Sequence, residues 1–307
     1  MELAADFSFQ PLPLEDQADS PSATGGHGLG MLAGLAGKWS GQGFNVIWRP
    51  HHFGGQDHFL ELNVTSEQLD FEIIPGKIPN RGLLQPNMFM HGLTYLQQIS
   101  DANVRVAHHP AGLHIEPGLW VTVPATTDPK EAHTVARLAS IPHGTTVLAQ
   151  GTASTSAGRP SIRGVSITPF TIGKPAKKTG FPEQDLATPS DFRTSGAGLT
   201  GVTQAMVDNP NSVLASTPLP AIATTTRLHV STRDASLPGG GTANTAFLKG
   251  AAHGPNALAA RVAATFWLQT VQGAPEPGFL QYSQTVLLNF SGLSWPHITV
   301  ATLTKTA

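Results

Sequence analysis

Residues 112–123, GLHIEPGLWVTV, show the pattern from which the fold is predicted. Polar and apolar side chains alternate over part of this stretch, and Trp120 lies within it, as is typical of a strand with one buried face. Further predicted strands lie at residues 42–49, 58–64, 68–74, 88–99, 103–108, 132–141, 144–151, 221–231, 260–272, 279–290 and 296–304. Gly and Pro separate most of them, which indicates an up-and-down meander. Because a closed sheet has no free edge, we expect an all-β protein built on an antiparallel barrel.

The composition narrows the function classes. Charged residues make up 12% of the 307 residues, about half of the usual share of roughly 25%. The net charge of −2 and the lack of a long basic run argue against a nucleic-acid-binding surface. The chain has no cysteine, which excludes disulfides, thiolate metal ligands and Cys nucleophiles. A chain so poor in charge could bury a further surface in a homodimer.

The ends of the chain and its middle differ from the predicted barrel. Residues 1–27 are polar and acidic, and we interpret them as an extended arm. They show neither a signal peptide nor a membrane span, which is compatible with a cytoplasmic protein. Residues 28–37 suit a short helix before the barrel, which would occupy residues 28–307 as one domain. Residues 152–259, rich in Pro, Ser, Thr and Gly, predict a partly irregular insertion that covers one barrel end, with a short helix near 197–207.

Four landmarks carry a resemblance to a known family. They are GKWSGQG at residues 37–43, LHIEPGLW at residues 113–120, ASIPHG at residues 139–144 and PHITVATLTKTA at residues 296–307. In this order, and with the last one in register with the C-terminus, they resemble the nitrobindins, small β-barrels of lipocalin-like shape that bind heme. The resemblance covers residues 28–151 and 260–307.

The resemblance implies that heme b binds inside the barrel, with His297 as the proximal ligand of its iron. A neutral imidazole is the usual ligand in a protein without a Cys thiolate. Residues 297, 299 and 301 share one face of a strand, so that the small Thr299 and Ala301 would leave room for the porphyrin. Leu113 completes the predicted heme-binding set. The alternative for His297 is a hydrogen-bonded structural histidine of the barrel.

His114 is the candidate for the distal side of the heme, where it could act as an acid or a base on a bound ligand. The alternative is a buried structural histidine. Glu116 shares its strand face, which conflicts with burying both residues in an apolar pocket. We expect that Glu116 either lies near the barrel mouth or pairs with an arginine, for which Arg137 and Arg261 are candidates.

Other candidates are weaker. They are Arg49 as a partner of a heme propionate, His91 and Phe266 or Trp267 as pocket residues, residues 237–248 as the substrate side, and His133 with His143 as zinc ligands. The pairs His51–His52 and His108–His109 read as loop residues. Gly239–Gly241 lacks the Lys-Ser/Thr of a phosphate loop, and the chain has no Gly-x-Ser-x-Gly elbow.

Three functions follow from these observations. The first is a heme-dependent oxidoreductase that uses O₂ or H₂O₂ to oxidise a hydrophobic small molecule, because the insertion offers material to roof an apolar cavity. Peroxidase, peroxygenase, alkene-cleaving oxygenase and dehydratase activities fit this class. The second is a heme protein that binds or scavenges NO or peroxynitrite, as the resemblance implies. The third is a heme-free, lipocalin-like binder or cyclase of apolar metabolites.

Overall fold

The computed structural model describes residues 3–4, 6–9, 28–53, 55–233, 237 and 239–306. Most of the predicted arm at residues 1–27 lies outside this part of the chain. Within it, no helix has both the length and the apolar character needed to cross a membrane.

Ten antiparallel strands in the described part of the chain form a closed barrel. Each wall strand pairs with the next one, and β16 returns to pair with β1. The wall strands are β1 (Gly37–Pro50), β2 (His58–Ile73), β5 (Gly92–Val106), β6 (His109–Val123), β9 (Thr134–Ile141), β10 (Thr145–Ala157), β12 (Ile222–Ser231), β14 (Leu258–Val271), β15 (Pro277–Phe290) and β16 (Leu293–Lys305). The predicted all-β, up-and-down barrel is confirmed.

The remaining elements are short. Two hairpins lie outside the wall, β3 (Ile78–Asn80) with β4 (Met88–Met90) and β7 (Thr126–Thr127) with β8 (Lys130–Glu131). β11 (Phe170–Thr171) pairs with β16, and β13 (Gly241–Asn244) pairs with β10. The helical elements are α1 (Gln204–Asp208), α2 (Ser212–Ser216), α3 (Ala246–Lys249) and 3-10 turns at Gly30–Leu35, Pro182–Gln184 and Gly196–Leu199. The turn at Gly30–Leu35 confirms the predicted short helix, whereas the helix predicted near 197–207 is split into two elements.

Two glycines of the first landmark allow the barrel to close. A Cβ atom on Gly43 would lie 2.2 Å from the carbonyl oxygen of Val300, and one on Gly41 would lie 2.2 Å from that of Thr302. Glycine in a strand often marks such a close approach between two backbones. The Gly-x-Trp-x-Gly-x-Gly pattern therefore allows β1 and β16 to approach closely where they pair and close the barrel, which we call the seam.

Several predicted strand boundaries are wrong. Residues 58–64 and 68–74 belong to the single strand β2, because the polar residues between them do not interrupt it. Thr65 and Glu67 both face the interior, where the Thr65 hydroxyl donates a hydrogen bond to the Glu67 carboxylate at 2.8 Å. Residues 88–99 are instead divided between β4 and β5, and residues 103–106 continue β5.

One end of the barrel is filled by an apolar core and closed by the 3-10 turn at Gly30–Leu35. Leu32 and Leu35 are completely buried there, and Trp39 donates an indole hydrogen bond to the carbonyl of Leu35 at 2.7 Å. Trp120 and Phe266 pack edge to face in the same core. We call this the closed end, and the opposite end, where β1 finishes, the open end.

A second apolar core lies outside the barrel wall. Ile167 and Leu214, from the long connection between β10 and β12, pack against outward-facing residues of the wall such as Trp48 and Trp295. The Trp48 indole donates to the carbonyl of Ile167 at 2.8 Å, which fixes this connection to the wall.

The structure therefore departs from the predicted insertion at 152–259. Residues 152–157 and 222–231 belong to wall strands β10 and β12. Segments within residues 158–221, including Ile167 and Leu214, lie on the outer face of the barrel instead of across its end. The apolar outer face of β16, including Ile298 and Val300, is what holds them there.

Candidate functional site

The open end of the barrel contains a cavity of about 440 Å³, which we call the barrel cavity. Residues of nine wall strands line it, all but β12. Its larger apolar side chains are Ile47, Ile99, Leu113, Ile141, Leu248, Val286 and Leu288. Leu248 and Ala257, from the connection between β13 and β14, belong to the lining, whereas residues 158–221 contribute nothing to it. Such a volume and lining suit one organic ligand.

His297 lies in the wall of the barrel cavity. It sits on β16 opposite Val286 of β15, which also lines the cavity. Burial among apolar residues disfavours the charged imidazole, and the charges of His114 and His143 add repulsion, so that the pKa of His297 falls to about 3. The ring is therefore neutral at physiological pH, which is the form that binds metals.

The two nitrogens of the His297 ring have different surroundings. Nε2 lies 3.0 Å from the Oδ1 atom of Asn45, which also accepts a hydrogen bond from the Thr299 hydroxyl at 3.0 Å. Nδ1 has no hydrogen-bond partner among the described residues. A ligand can therefore use Nδ1 directly, or use Nε2 if it displaces Asn45.

A pair of imidazoles lies elsewhere in the cavity lining. The rings of His114 and His143 are 5.5 Å apart, centre to centre, and are tilted by 33°. Burial, with repulsion from His114, lowers the pKa of His143. The Nε2 atom of His114 contacts a carboxylate oxygen of Glu116 at 3.3 Å. That contact fixes the orientation of the predicted distal histidine.

Glu116 is almost completely buried and is held by a charged partner. Arg137 donates a hydrogen bond to it, as does the Tyr95 hydroxyl. Burial alone would raise the pKa of this carboxyl group, but attraction to Arg137 and the hydrogen bonds outweigh burial and lower the pKa to about 2. Of the two partners considered from the sequence, the structure selects Arg137, which also donates to Gln284 in the cavity lining at 2.5 Å.

A second buried carboxyl group, Glu67, behaves in the opposite way. Burial raises its pKa to about 7, and the hydrogen bonds from Tyr282, Thr65 and Gln97 only partly offset this. The Tyr282 hydroxyl donates to Glu67 at 2.5 Å and accepts from Gln97 at 2.8 Å. Among the residues that the structure describes, no arginine forms an ion pair with Glu67 as Arg137 does with Glu116. This difference explains why the pKa values of two equally buried carboxyl groups move in opposite directions.

The residues around Glu116 and those around Glu67 together form a polar layer in the barrel interior. Some of its members pack in the apolar core, and some line the cavity. The layer consists of Glu67, Tyr95, Gln97, Glu116, Arg137, Tyr282 and Gln284. Tyr95 and Tyr282 also pack in the apolar core, whereas Gln97, Tyr282 and Gln284 line the cavity. The layer therefore brings a group that titrates near neutral pH within one hydrogen bond of the cavity.

The structure sorts the predicted site residues. Leu113, His114, His297 and Thr299 all line the barrel cavity. Ala301 does not: it is completely buried in the apolar core, further along β16 toward the closed end, so it cannot make room for a porphyrin. The prediction for Ala301 was correct about its strand face but wrong about its depth.

The weaker candidates lie mostly elsewhere. Arg49 lines the cavity but is paired with Glu61 and stacked over the Phe59 ring at 4.4 Å. Phe266 belongs to the apolar core at the closed end, and Trp267 belongs to the second apolar core outside the barrel wall. Among residues 237–248, whose position 238 is outside the described chain, Leu248 lines the cavity.

Zinc ligation by His133 with His143 finds no support in the geometry. Within the described residues, no three side chains of His, Asp or Glu converge as a metal site held by protein ligands alone would need. His133 is not part of the cavity lining, whereas His143 is.

The residues present fit a heme. A single neutral imidazole in an apolar cavity is the ligand set that a b-type heme requires from a protein without Cys. The cavity is of the size that holds one organic ligand, and Arg49 in its lining is already paired with Glu61. Ligation through Nε2 would require the loss of the contact with Asn45.

Comparisons with known proteins give little guidance. No protein family model matches this chain, and no curated protein is significantly similar to it. Among solved structures, the crystal structure of Rv2717c from M. tuberculosis matches with a TM-score of 0.40 and 15% sequence identity, over 91% of this chain and 97% of that one. These values carry no function from that protein to this chain.

Proposed function

We propose that this chain is a heme protein that binds heme b in the barrel cavity through His297 and presents it to a small oxidant or gas such as O₂, H₂O₂ or NO. The observation that carries the proposal is the neutral imidazole of His297, desolvated in the wall of an apolar cavity. A structural histidine of the barrel gains nothing from facing an organic-ligand cavity with one ring nitrogen unpaired.

The size of the cavity favours a small second ligand. Cavities that hold organic ligands range from about 300 to 1,000 Å³, and the barrel cavity, at about 440 Å³, is near the lower limit. One macrocycle would take up most of that volume. The sequence favoured the oxidation of a hydrophobic small molecule because the insertion at 152–259 could roof the cavity. Leu248, Ala257 and Ala259 of that stretch line the cavity, whereas residues 158–221 contribute nothing to its lining.

The residues around the cavity have separate tasks in this proposal. A bound heme supplies an iron centre to which small ligands bind and at which they react. His297 supplies the neutral nitrogen that holds the heme. His114, whose Nε2–H donates to the Glu116 carboxylate, keeps Nδ1 without a partner in the described chain, and this nitrogen can accept a hydrogen bond or a proton from a small ligand such as H₂O₂.

Tyr282 and Glu67 supply a proton reserve. Glu67 titrates near pH 7 and receives the hydrogen bond of Tyr282, whose side chain lines the cavity. The exchangeable proton is that of Glu67, because burial and the neighbouring Glu67 raise the pKa of the Tyr282 hydroxyl well above 10 and Tyr282 therefore keeps its proton. Tyr282 links Glu67 to the cavity lining by its hydrogen bond, while the Glu116–Arg137 pair keeps its charges fixed.

The experiment loads the purified chain with hemin and follows its reactions by stopped-flow absorbance. The ferrous protein should bind NO, and the ferric protein should react with H₂O₂, with a slower H₂O₂ reaction in His114→Ala. Failure to take up hemin at one equivalent, or an iron centre inert to both ligands, would refute the proposal.

A second candidate is the oxidation of a hydrophobic small molecule in the cavity. The apolar residues Leu248 and Leu288 in the lining favour it, as does the neighbouring Phe247, which is 75% exposed. Leu248→Trp separates the candidates. It should block turnover of an olefinic probe under the second candidate and leave NO binding unchanged under the first.

A further inference from the structure

A second concave site lies on the outside of the barrel. It has a volume of about 590 Å³ and shares no lining residue with the barrel cavity. Its floor is the outer face of β10, β12, β14 and β15, and its wall is formed by residues 160–165 and Asn211 of the connection between β10 and β12. We call it the outer groove.

The floor of the outer groove is an ordered array of small polar side chains. In one row across the strands, His229 faces Thr265, which faces Ser283. In the neighbouring row, Ser154 faces Arg227, which faces Trp267. Directly opposed residues on neighbouring strands lie about 5 Å apart, so these hydroxyl groups, a guanidinium group and an indole ring share one surface.

The charge of the lining has one sign. Arg163 and Arg227 both line the groove, and no Asp or Glu does. In the described part of the chain, neither arginine forms an ion pair. Arginine binds carboxylate and phosphate groups through paired hydrogen bonds, so that two arginines without acidic partners favour an anion.

Asn211 supplies an independent indication of a ligand. Asn211 is only 5% exposed, and its Nδ2 atom donates a hydrogen bond to the carbonyl of Arg163 at 2.7 Å. Its Oδ1 atom is buried and has no hydrogen-bond partner among the described residues. Buried acceptors are nearly always satisfied in folded proteins, so this oxygen calls for a donor from outside the described residues, such as a water molecule or a ligand hydroxyl.

We propose that the outer groove binds a small organic anion that carries several hydroxyl groups, namely a sugar phosphate or a sugar acid. The groove is too large for an inorganic ion alone and lies within the range of organic-ligand sites. The arginines bind the anionic group, and the Ser and Thr hydroxyls together with Asn211 bind the ligand's hydroxyls. Trp267, which is 7% exposed, contributes a small apolar part of the floor beneath the ligand.

The test is calorimetric titration of the purified full-length chain with four probes. Glucose 6-phosphate and glucuronate represent the two anion sources, and glucose and inorganic phosphate represent each half of the ligand alone. At least one anionic sugar should bind at least tenfold more tightly than glucose and than phosphate, and its affinity should fall as the salt concentration rises.

Matched variants locate the site. Arg227→Gln should lower the affinity for the anionic sugar at least tenfold. The double variant Arg163→Gln with Arg227→Gln should abolish its binding. Arg105→Gln, at the turn between β5 and β6, should have no effect, and neither should His297→Ala, because Arg105 and His297 lie outside the groove. Equal binding of glucose, equal binding of phosphate, no binding of either anionic sugar, or full affinity in Arg227→Gln would each overturn the proposal.

Discussion

Asn45 of β1 and His297 of β16 contact each other in the wall of the barrel cavity, with Oδ1 of Asn45 3.0 Å from Nε2 of His297. The two residues come from opposite ends of the chain, and the closure of the barrel between β1 and β16 brings them together. The contact competes with any ligand that would use Nε2. In the proposed heme complex, ligation through Nε2 would therefore require this contact to break.

The first prediction concerns this competition. Asn45→Ala removes a hydrogen bond whose net contribution is about 0.5–1.5 kcal/mol, so hemin affinity should rise about three- to tenfold if Nε2 is the ligand atom. Asn289→Ala, on β15 and outside the cavity lining, serves as the control. A lower affinity in Asn45→Ala would show that Asn45 supports the heme site and does not oppose it.

The second prediction concerns the pH dependence of stability. The folded pKa of Glu67, about 7, lies above its ordinary value of 4.5. Its stabilising contribution is therefore complete below pH 4.5 and is lost as the pH rises through 7, by about 1.4 kcal/mol per pKa unit. Glu67→Gln removes the titrating group. Between pH 5 and pH 8 the free energy of unfolding, measured with urea, should therefore fall by about 2–3 kcal/mol less in the variant than in the wild type.

The polar layer illustrates what a single sequence cannot predict. The Tyr282 hydroxyl reaches Glu67 across 215 positions of the chain, and neither residue lies in a recognisable motif. Glu116 was expected either near the barrel mouth or beside an arginine, and the sequence could not choose between Arg137 and Arg261. The pairing of β9 with β6 places Arg137 beside it. Contacts across a barrel depend on the register of all the strands between them.

The strand pattern, in contrast, could be predicted because it is local. Alternation along β16 correctly placed His297 and Thr299 on the inner face, together with Ala301. Alternation tells which face of the strand a residue is on, but not how far along the barrel it lies. For this reason Ala301 was assigned to the cavity and not to the apolar core. The connection between β10 and β12 was predicted as an end cap because the apolar outer face of the wall is apparent only once the barrel is assembled.

The third prediction concerns the buried ion pair of Glu116 and Arg137. Arg137→Met leaves the carboxylate buried without its partner, which should lower the free energy of unfolding by about 3–5 kcal/mol. Glu116→Gln combined with Arg137→Met leaves no buried charge and should be more stable than Arg137→Met alone. Urea unfolding of the wild type and the two variants checks this. A double variant no more stable than Arg137→Met would contradict the assignment of the cost to the unpaired charge.

The fourth prediction concerns the seam of the barrel. Gly43→Ala places a methyl group 2.2 Å from the carbonyl oxygen of Val300 and forces β1 away from β16. We expect a loss of about 1–3 kcal/mol in unfolding free energy, as for other overpacked sites, together with weaker hemin binding. Gly278→Ala is the control, because a Cβ atom at that position meets no atom within 4 Å. Equal stability of the two variants would show that the seam tolerates a side chain.

The assignment of His297 as the heme ligand is tested most directly by the visible absorption spectrum during a hemin titration of the wild type, His297→Ala and His229→Gln. His229 lies in the outer groove and provides a matched histidine substitution outside the cavity. The account predicts a Soret band that saturates at one hemin per chain in the wild type and in His229→Gln, and an altered iron spectrum with weaker binding in His297→Ala. An unchanged iron spectrum and affinity in His297→Ala would contradict it.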